Sequence, residues 1–189
     1  AETLVPLIDQ DSERAVEILL TEVKRFSDIY SDYWVLEMRN KLGLTNFESS
    51  DLPLITDFLA MLSELSVDYT QSFRALSESI LGDHSRLDRL FQEDALFVTW
   101  YARWKSTLER KSHDLEAQGL IMNSVNPLYI PRNHIVEHII HEAVQLDNLV
   151  PFTELLDILQ DPFKAIDGNE LFEMPAPPSF TPYQTFCGT

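Results

Sequence analysis

The sequence is poor in the residues from which many catalytic loops are built. It contains one cysteine, Cys187, so a disulfide within the chain is excluded, and this scarcity of thiols fits a reducing compartment. The five glycines are isolated from one another, and we interpret four of them as helix ends or turns. No Gly-rich phosphate loop, Walker, His-Arg-Asp, Asp-Phe-Gly or Gly-x-Ser-x-Gly motif occurs. The sequence therefore predicts no phosphoryl- or nucleotidyl-transfer centre of its own.

Basic residues are also scarce, and long apolar runs are missing. Fourteen lysines and arginines stand against 31 aspartates and glutamates, which gives a formal net charge of −17. Such a charge repels nucleic acid, anionic membranes and free nucleotides, and it favours a basic partner or another domain of the same protein. No apolar run approaches the ~20 residues of a membrane span, and no signal peptide is visible. We therefore expect neither a nucleic-acid nor a membrane partner.

What the sequence does contain is helical periodicity. Apolar residues recur at three- and four-residue spacing in successive segments, which are separated by capping residues, glycines and prolines. We predict a single all-α domain of about six to eight helices over residues 1–172, large enough to bury roughly 70% of its unfolded surface. Pro175, Pro177, Pro178 and Pro182 predict a Pro-rich, extended or mobile tail over residues 173–189.

Capping residues, glycine and proline set the limits of the predicted helices. The first begins at Asp11 or Ser12 and ends at Gly43, with an apolar stripe made of Val16, Leu19, Leu20, Val23, Phe26, Tyr30, Tyr33, Trp34 and Met38. A second opens within residues 50–53, and a third follows a capping box formed by Asp68 and Gln71. Later helices are predicted within residues 85–111, 114–118 and 133–146. The last helix should begin within residues 149–152, stop at residues 161–162, and turn inward Phe152, Leu155, Leu156 and Leu159.

The stretch from residue 122 to residue 134 organises this pattern, because it separates two long helical regions. Pro127 and Pro131 lack a backbone donor and favour an extended conformation in the residue before each. Asn126 suits a turn at Pro127, and Asn133 is predicted to cap the following helix. Arg132 is the polar residue of interest, since a fixed guanidinium can tie several loop or helix-end carbonyls together.

Two features allow both a structural and a chemical interpretation. Trp100 and Trp104 lie one helical turn apart and would suit a stacking platform for a base, but without interleaved basic residues core packing is favoured. Asp68 could serve as a catalytic carboxylate, yet aspartate at a helix start is typical of an N-cap, and we favour the cap.

The helix after the break carries a histidine pattern. His134, His138 and His141 are spaced i, i+4 and i+7 and lie nearly on one face, a spacing that could hold Zn²⁺. The metalloprotease signature His-Glu-x-x-His fails, because position 145 is Gln. We therefore favour a mixed polar face, with His134 fixing the helix start and no metal bound.

Several short patches, in order, resemble one family. They are Lys41-Leu42-Gly43-Leu44, Asp68-Tyr69-Thr70 followed by Phe73-Arg74, Asn126-Pro127-x-Tyr129-x-x-Arg132-Asn133, a Pro-Phe-x-x-Leu-Leu run from Pro151, and a cysteine third from the C-terminus. Together they are similar to the C-terminal region of the selenoprotein O (SelO) family, which has a kinase-like fold and transfers AMP from ATP to protein hydroxyls.

The resemblance implies a division of labour within a longer protein. In the family, nucleotide- and metal-binding residues precede the matched region, so no catalytic, cofactor-binding or metal residue is carried onto this chain, and ATP and Mg²⁺ are expected only in the full-length parent. The implied partners are the N-terminal kinase-like part of the same protein and the parent's protein substrates. The family's localisation would be cytoplasmic in bacteria and mitochondrial in eukaryotes.

Within this chain the resemblance implies one redox candidate and a set of structural residues. Cys187 is the redox candidate, although no Lys, Arg or His lies near it in sequence to lower its pKa. The structural residues are Asp68, Arg74, Asn126, Pro127, Arg132 and Asn133. The alternative from another functional class is a free-standing acidic helical module that binds a basic partner and has no enzymatic activity.

Overall fold

A computed structural model describes residues 2–46 and 48–180, and within these residues the chain is all-α with no β-strand. Its helices are α1 (Val5–Ile8), α2 (Ser12–Lys41), α3 (Leu52–Glu64), α4 (Tyr69–Ile80), α5 (Ser85–Phe91), α6 (Ala95–Lys111), α7 (Leu115–Val125), α8 (Asn133–Gln145) and α9 (Val150–Gln160). Short 3-10 helices cover Glu2–Leu4, Ser49–Asp51, Glu170–Phe172 and Pro178–Phe180. The helical fold class is confirmed.

The count of nine helices in the described part exceeds the predicted six to eight for two local reasons. The four-residue α1 precedes the first predicted helix. The aromatic stretch also divides in two, because Gln92 and Glu93 adopt left-handed backbone conformations with φ of 45° and 60°. Asp94 then starts α6 by accepting hydrogen bonds from Leu96 N and Phe97 N.

The main core lies between α3, α4 and α6 and takes in the C-terminal end of α2 together with α7. Phe58 and Trp100 stack with ring centroids 4.3 Å apart, and Trp100 stacks in turn on Trp104 at 5.8 Å. Both indole N–H groups are satisfied inside the protein, since Trp100 donates to Leu54 O and Trp104 donates to Leu42 O, each at 2.9 Å. The prediction that these tryptophans belong to the core is confirmed.

The helix predicted over residues 114–118 was too short. Asp114 caps α7 by accepting from Ala117 N, but the helix runs through Gly119 to Val125. Gly119 does not end the helix, because it sits against α4: a Cβ there would lie 2.9 Å from Cδ2 and Cγ of Leu81. The glycine permits close approach of two elements, and the extended break begins at Asn126 rather than at residue 122.

Burial differs from the predicted stripes at both ends of the chain. In α2 the stripe reaches the main core only at Trp34 and Met38, whereas most of its earlier members are exposed. In α9 the buried residues are Leu155 and Ile158, while Phe152 and Leu156, predicted to face inward, are about half exposed. Leu146, the last residue of the helix predicted over residues 133–146, is also exposed, although Ile139 is buried. Periodicity identified these helices correctly, but it did not show which of their apolar faces this chain covers.

The break after α7 packs on the segment that follows α9. Leu128 N and Tyr129 N both donate to Pro162 O, at 2.8 and 3.1 Å, and the Tyr129 hydroxyl accepts from Ile166 N at 3.0 Å. Leu128 and Tyr129 are buried with Ile158 in a second, smaller apolar cluster. The tail over residues 173–189, predicted to be extended or mobile, contains one 3-10 turn at Pro178–Phe180. Residues 181–189 lie outside the described residues.

Candidate functional site

Six charged side chains gather around α4, and we call them the α4 polar cluster. They come from α4, from its N-cap, from α5, from the break before α8 and from the segment after α9, and they are Asp68, Arg74, Glu78, Arg86, Arg132 and Glu173. Their side chains are between 8% and 18% exposed, so the charges lie largely out of water. At such depth a charge needs an opposite charge or several hydrogen bonds.

Arg74 is the centre of the cluster. Its Nη1 donates to three carbonyls, those of Asn123 (3.4 Å), Asn126 (3.3 Å) and Phe163 (3.0 Å). Its Nε donates to Glu78 Oε1 at 3.2 Å. One guanidinium therefore joins α4 to the end of α7, to the break and to the segment after α9. The expectation that Arg132 ties carbonyls together is corrected here, because Arg74 does so.

Arg132 instead pairs with Asp68, the N-cap residue of α4. Its Nη1 lies 2.7 Å from Asp68 Oδ2, and its Nη2 lies 3.1 Å from Oδ1. Oδ1 also accepts from Gln71 N at 2.8 Å, so Asp68 is a helix cap, as predicted. Burial by itself would raise the pKa of Asp68, but hydrogen bonds from Arg132 and from the backbone N–H groups hold this pKa below its ordinary value.

Two predicted capping roles are wrong. The Gln71 side chain does not reach back to complete a capping box. Its Nε2 instead donates to Glu173 O at 2.7 Å, in the segment that follows α9. Asn133 is the first residue of α8 rather than its cap, and the N-cap position belongs to Arg132, whose backbone is extended. The residue at the N-cap position of α8 is therefore the one whose side chain pairs with Asp68.

Arg86 ties the far end of the chain to α4 and α5. Its Nε donates to Glu78 Oε2 at 2.8 Å, and its Nη2 lies 2.8 Å from Glu173 Oε2. Burial opposes the charged form, but the carboxylates of Glu78 and Glu173 raise the pKa of Arg86 above its ordinary value. The segment after α9 is thus held by both the side chain and the carbonyl of Glu173.

Asn126 connects the cluster to the end of α2. It is fully buried, and its Nδ2 donates to Lys41 O at 2.8 Å and to Ser77 Oγ at 3.2 Å. The Lys41 ammonium lies 3.3 Å from Asn126 Oδ1 and 3.4 Å from Val125 O. Burial lowers the pKa of Lys41, an effect that the nearby Glu37 carboxylate partly offsets. Pro127 follows this buried amide and is half-buried.

The structure thus brings together four of the six residues singled out as structural: Asp68, Arg74, Asn126 and Arg132. Asn133 lies on the surface at the start of α8. Sequence reasoning missed the cluster members Glu78, Arg86 and Glu173. Arg86 and Glu173 are separated by 87 positions and carried no local signal, whereas Glu78 lies at i+4 from Arg74, a helical pair spacing that could have been noticed.

The three histidines of α8 lie in different surroundings. Among residues 2–46 and 48–180, no group of three His, Cys, Asp or Glu side chains is arranged to hold a metal ion. His138 and His141 are exposed on α8, whereas His134 is half-buried with its ring edge-on to Phe180, the centroids 5.8 Å apart. Burial and the neighbouring Arg132 charge lower the pKa of His134. Cys187, the redox candidate, lies outside the described residues.

An open groove of about 350 Å³ lies between α3 and α6. It is lined by apolar atoms of Met61 and Trp100 and by an ion pair between Arg103 and Asp57. Nucleotide phosphates need several donors or cations directed at one point, and here the Arg103 guanidinium is already engaged by a carboxylate. In both this groove and the α4 polar cluster, the charged side chains are paired with one another.

Comparison with known proteins gives one consistent result. The sequence pattern of the family described as "Protein adenylyltransferase SelO" matches residues 1–160. The chain is 38% identical over all 189 residues to the protein nucleotidyltransferase YdiU of Clostridium botulinum (strain Eklund 17B / Type B), 37% to that of Alkaliphilus metalliredigens (strain QYMF) and 36% to that of Bacillus cereus (strain G9842). In each case the alignment covers 100% of this chain and 38% of the relative's length.

In the part of the chain that the structure describes, no helix combines the length and the apolar character of a membrane span.

Proposed function

The chain belongs to the protein adenylyltransferase SelO family, and from this membership we propose that it is the C-terminal helical part of a longer enzyme that transfers AMP from ATP to protein hydroxyls. In this proposal the kinase-like part of the parent, N-terminal to these residues, binds ATP and Mg²⁺ and carries the reaction. The helical part packs on it and shapes the side that receives the protein substrate. Cys187 is its redox-sensitive residue.

The observation that carries the proposal is how fully the buried charges neutralise one another. Arg74, Arg86 and Arg132 each hold a carboxylate, and Arg74 holds three carbonyls as well. Phosphate recognition needs cations whose donors are directed at the ligand. These guanidiniums are instead directed at the protein, which supports a role in building and positioning a domain rather than in binding a nucleotide.

The location of the parent is part of the same proposal. By family membership we propose the cytoplasm in a bacterial host and the mitochondrion in a eukaryotic one. The net charge of −17 supports a protein partner over nucleic acid or an anionic membrane surface.

The test compares the full-length protein containing this chain with the chain by itself. Each is incubated with Mg²⁺ and ATP labelled at the α-phosphate, and AMP incorporation into protein is measured by autoradiography and mass spectrometry. We expect the full-length protein to label itself or added protein and the 189-residue chain to label nothing. Incorporation by the chain by itself would overturn the division of labour, and its absence in the full-length protein would overturn the activity.

A free-standing acidic interaction module is the second candidate, and the observation that favours it is the excess of 31 acidic over 14 basic residues. In that case the chain would bind a basic protein through its surface, and binding would weaken steeply as salt rises. An open reading frame upstream of Ala1 that encodes kinase-like motifs in frame favours the first candidate. An initiator codon immediately before Ala1 favours the second.

A further inference from the structure

Helix α2 exposes an unusual amount of apolar surface along the part that precedes the main core. At thirty residues it is about 45 Å long, and residues 12–33, before the core is reached, account for about 33 Å. The large apolar side chains exposed here, each by between 40% and 66%, are Val16, Ile18, Leu20, Val23, Phe26, Ile29, Tyr30 and Tyr33. Helices α1, α3 and α7 contact α2 but leave these side chains uncovered.

The exposed residues form one continuous face. At 100° per residue, Leu20, Val23 and Tyr30 lie on one side of it, Ile18 and Ile29 lie on the other, and Phe26 lies between. Together they span about 200° of the helix circumference, a sector that also contains Glu22 and Ser27, whereas Thr21 and Ser31 lie outside it. We call the apolar sector of residues 16–33 the α2 face. A row of large apolar side chains exposed along one side of a helix is typical of an interaction site.

The α2 face also has the composition of a protein interface. Phe26 and Tyr30 stack with ring centroids 6.2 Å apart, and Tyr33 continues the aromatic row one turn later. Aromatic residues are enriched at the centres of protein interfaces, where they supply large contact areas at a low cost in side-chain entropy.

We propose that the α2 face is the docking surface for the N-terminal part of the full-length protein, which covers it in the native molecule. This inference rests on the proposed function. The chain spans 38% of the length of its relatives and corresponds to their C-terminal portion. In those relatives the remainder precedes the position of residue 1, which lies eleven positions before α2 begins. A covalently attached partner has a high effective concentration at an adjacent surface.

Charge argues against the other occupants. A second copy of this chain would bring two bodies of net charge −17 together, and the repulsion between them opposes a symmetric dimer. The same charge opposes an anionic membrane surface. An N-terminal part of the same protein need not carry the same charge as this chain, and it binds without two like-charged molecules having to meet.

The test measures thiol accessibility in the full-length protein by maleimide labelling, with each site resolved by peptide mass spectrometry. Two matched pairs are used: Val23→Cys with Thr21→Cys, and Tyr30→Cys with Ser31→Cys. All four positions are exposed in the chain by itself, but only the first member of each pair lies on the α2 face. We expect the first member to react at least tenfold more slowly than the second in the folded protein, and at the same rate in urea.

Each alternative outcome is distinct. Equal rates within both pairs in the folded protein would overturn the inference. So would slow labelling that disappears on dilution together with a doubled mass by light scattering, since this would assign the α2 face to a second copy. Slow labelling that requires anionic vesicles would assign it to a membrane and overturn the inference as well. AMP transfer is measured on the same preparations, so its absence defeats the proposed function without changing the labelling result.

Discussion

The most demanding prediction concerns Arg74→Met, which removes the charge and the donors but keeps much of the apolar stem. The variant leaves the carbonyls of Asn123, Asn126 and Phe163 without the guanidinium at a depth where the arginine side chain is only 8% exposed. Glu78 keeps a partner, because Arg86 still lies 2.8 Å from its Oε2. The loss therefore falls on the carbonyls more than on the carboxylate.

The magnitude follows from these contacts. A buried polar group deprived of its partner costs about 1–3 kcal/mol, and the two longer bonds, at 3.3 and 3.4 Å, argue for the low end of this range at Asn123 and Asn126. Summed over the three carbonyls, we expect the free energy of unfolding to fall by about 3–5 kcal/mol. For a chain of this size that corresponds to a melting temperature lower by roughly 10 °C.

Urea unfolding followed by circular dichroism measures this change, and Arg103→Met is the matched control. Arg103 pairs with Asp57 on the surface, where both side chains are about half exposed, so the same substitution should cost no more than about 1 kcal/mol. Arg74→Lys should fall between the two, because an ammonium can reach only some of the carbonyls. Equal destabilisation by Arg74→Met and Arg103→Met would refute the assignment of Arg74 as the central tie.

Three further predictions use the same cluster and its surroundings. Asp68→Asn keeps the helix cap but leaves Arg132 buried without a counter-charge, so it should cost roughly 3 kcal/mol at pH 7. Because the pKa of Asp68 is lowered in the folded protein, the wild type should lose this advantage over Asp68→Asn as pH falls below about 4. If the free energies of unfolding of the two proteins changed equally with falling pH, the pairing would be contradicted. Gly119→Ala should lower the melting temperature despite the better helix propensity of alanine, because the new Cβ meets Leu81 at 2.9 Å; a rise would show that α4 and α7 can separate. The pKa of His134, measured by NMR, should lie below the ordinary value of about 6.5. The contribution of His134 to stability is therefore full above that pH and is lost as pH falls towards the pKa of the folded state. A measured pKa above the ordinary value would contradict this assignment.

The fold class followed from the sequence because its signals are short in range. Helix starts were predicted at or next to three aspartates that do cap helices: Asp11, Asp68 and Asp114. Such caps can be predicted because the side chain contacts backbone donors only two or three residues away. The helix predicted to open within residues 50–53 is α3, which begins at Leu52 and carries Pro53 in its first turn. Gly119 misled the prediction, because a glycine that ends a helix and one that admits a neighbouring helix look alike in sequence.

The candidate site was only partly accessible from the sequence. Arg132 was singled out for the correct reason, a fixed guanidinium, but with the wrong acceptors: it holds the Asp68 carboxylate, 64 positions away. The carbonyl ties belong to Arg74, whose acceptors lie between 49 and 89 positions further along the chain. Nothing in the spacing of such residues distinguishes one arginine from the other, because the pairing depends on how α4 packs against α7.

The sequence by itself determined the helices, most of their caps, the acidic charge and the family to which the chain belongs, since each depends on neighbouring residues or on identities in order. Tertiary packing alone decided which arginine holds which carbonyl, why Gly119 lies inside a helix, and which apolar faces are covered. The α2 face marks this boundary most clearly. Periodicity predicts that it is buried, but whether a face is covered depends on the surface that meets it. For α2, residues 2–46 and 48–180 do not supply that surface.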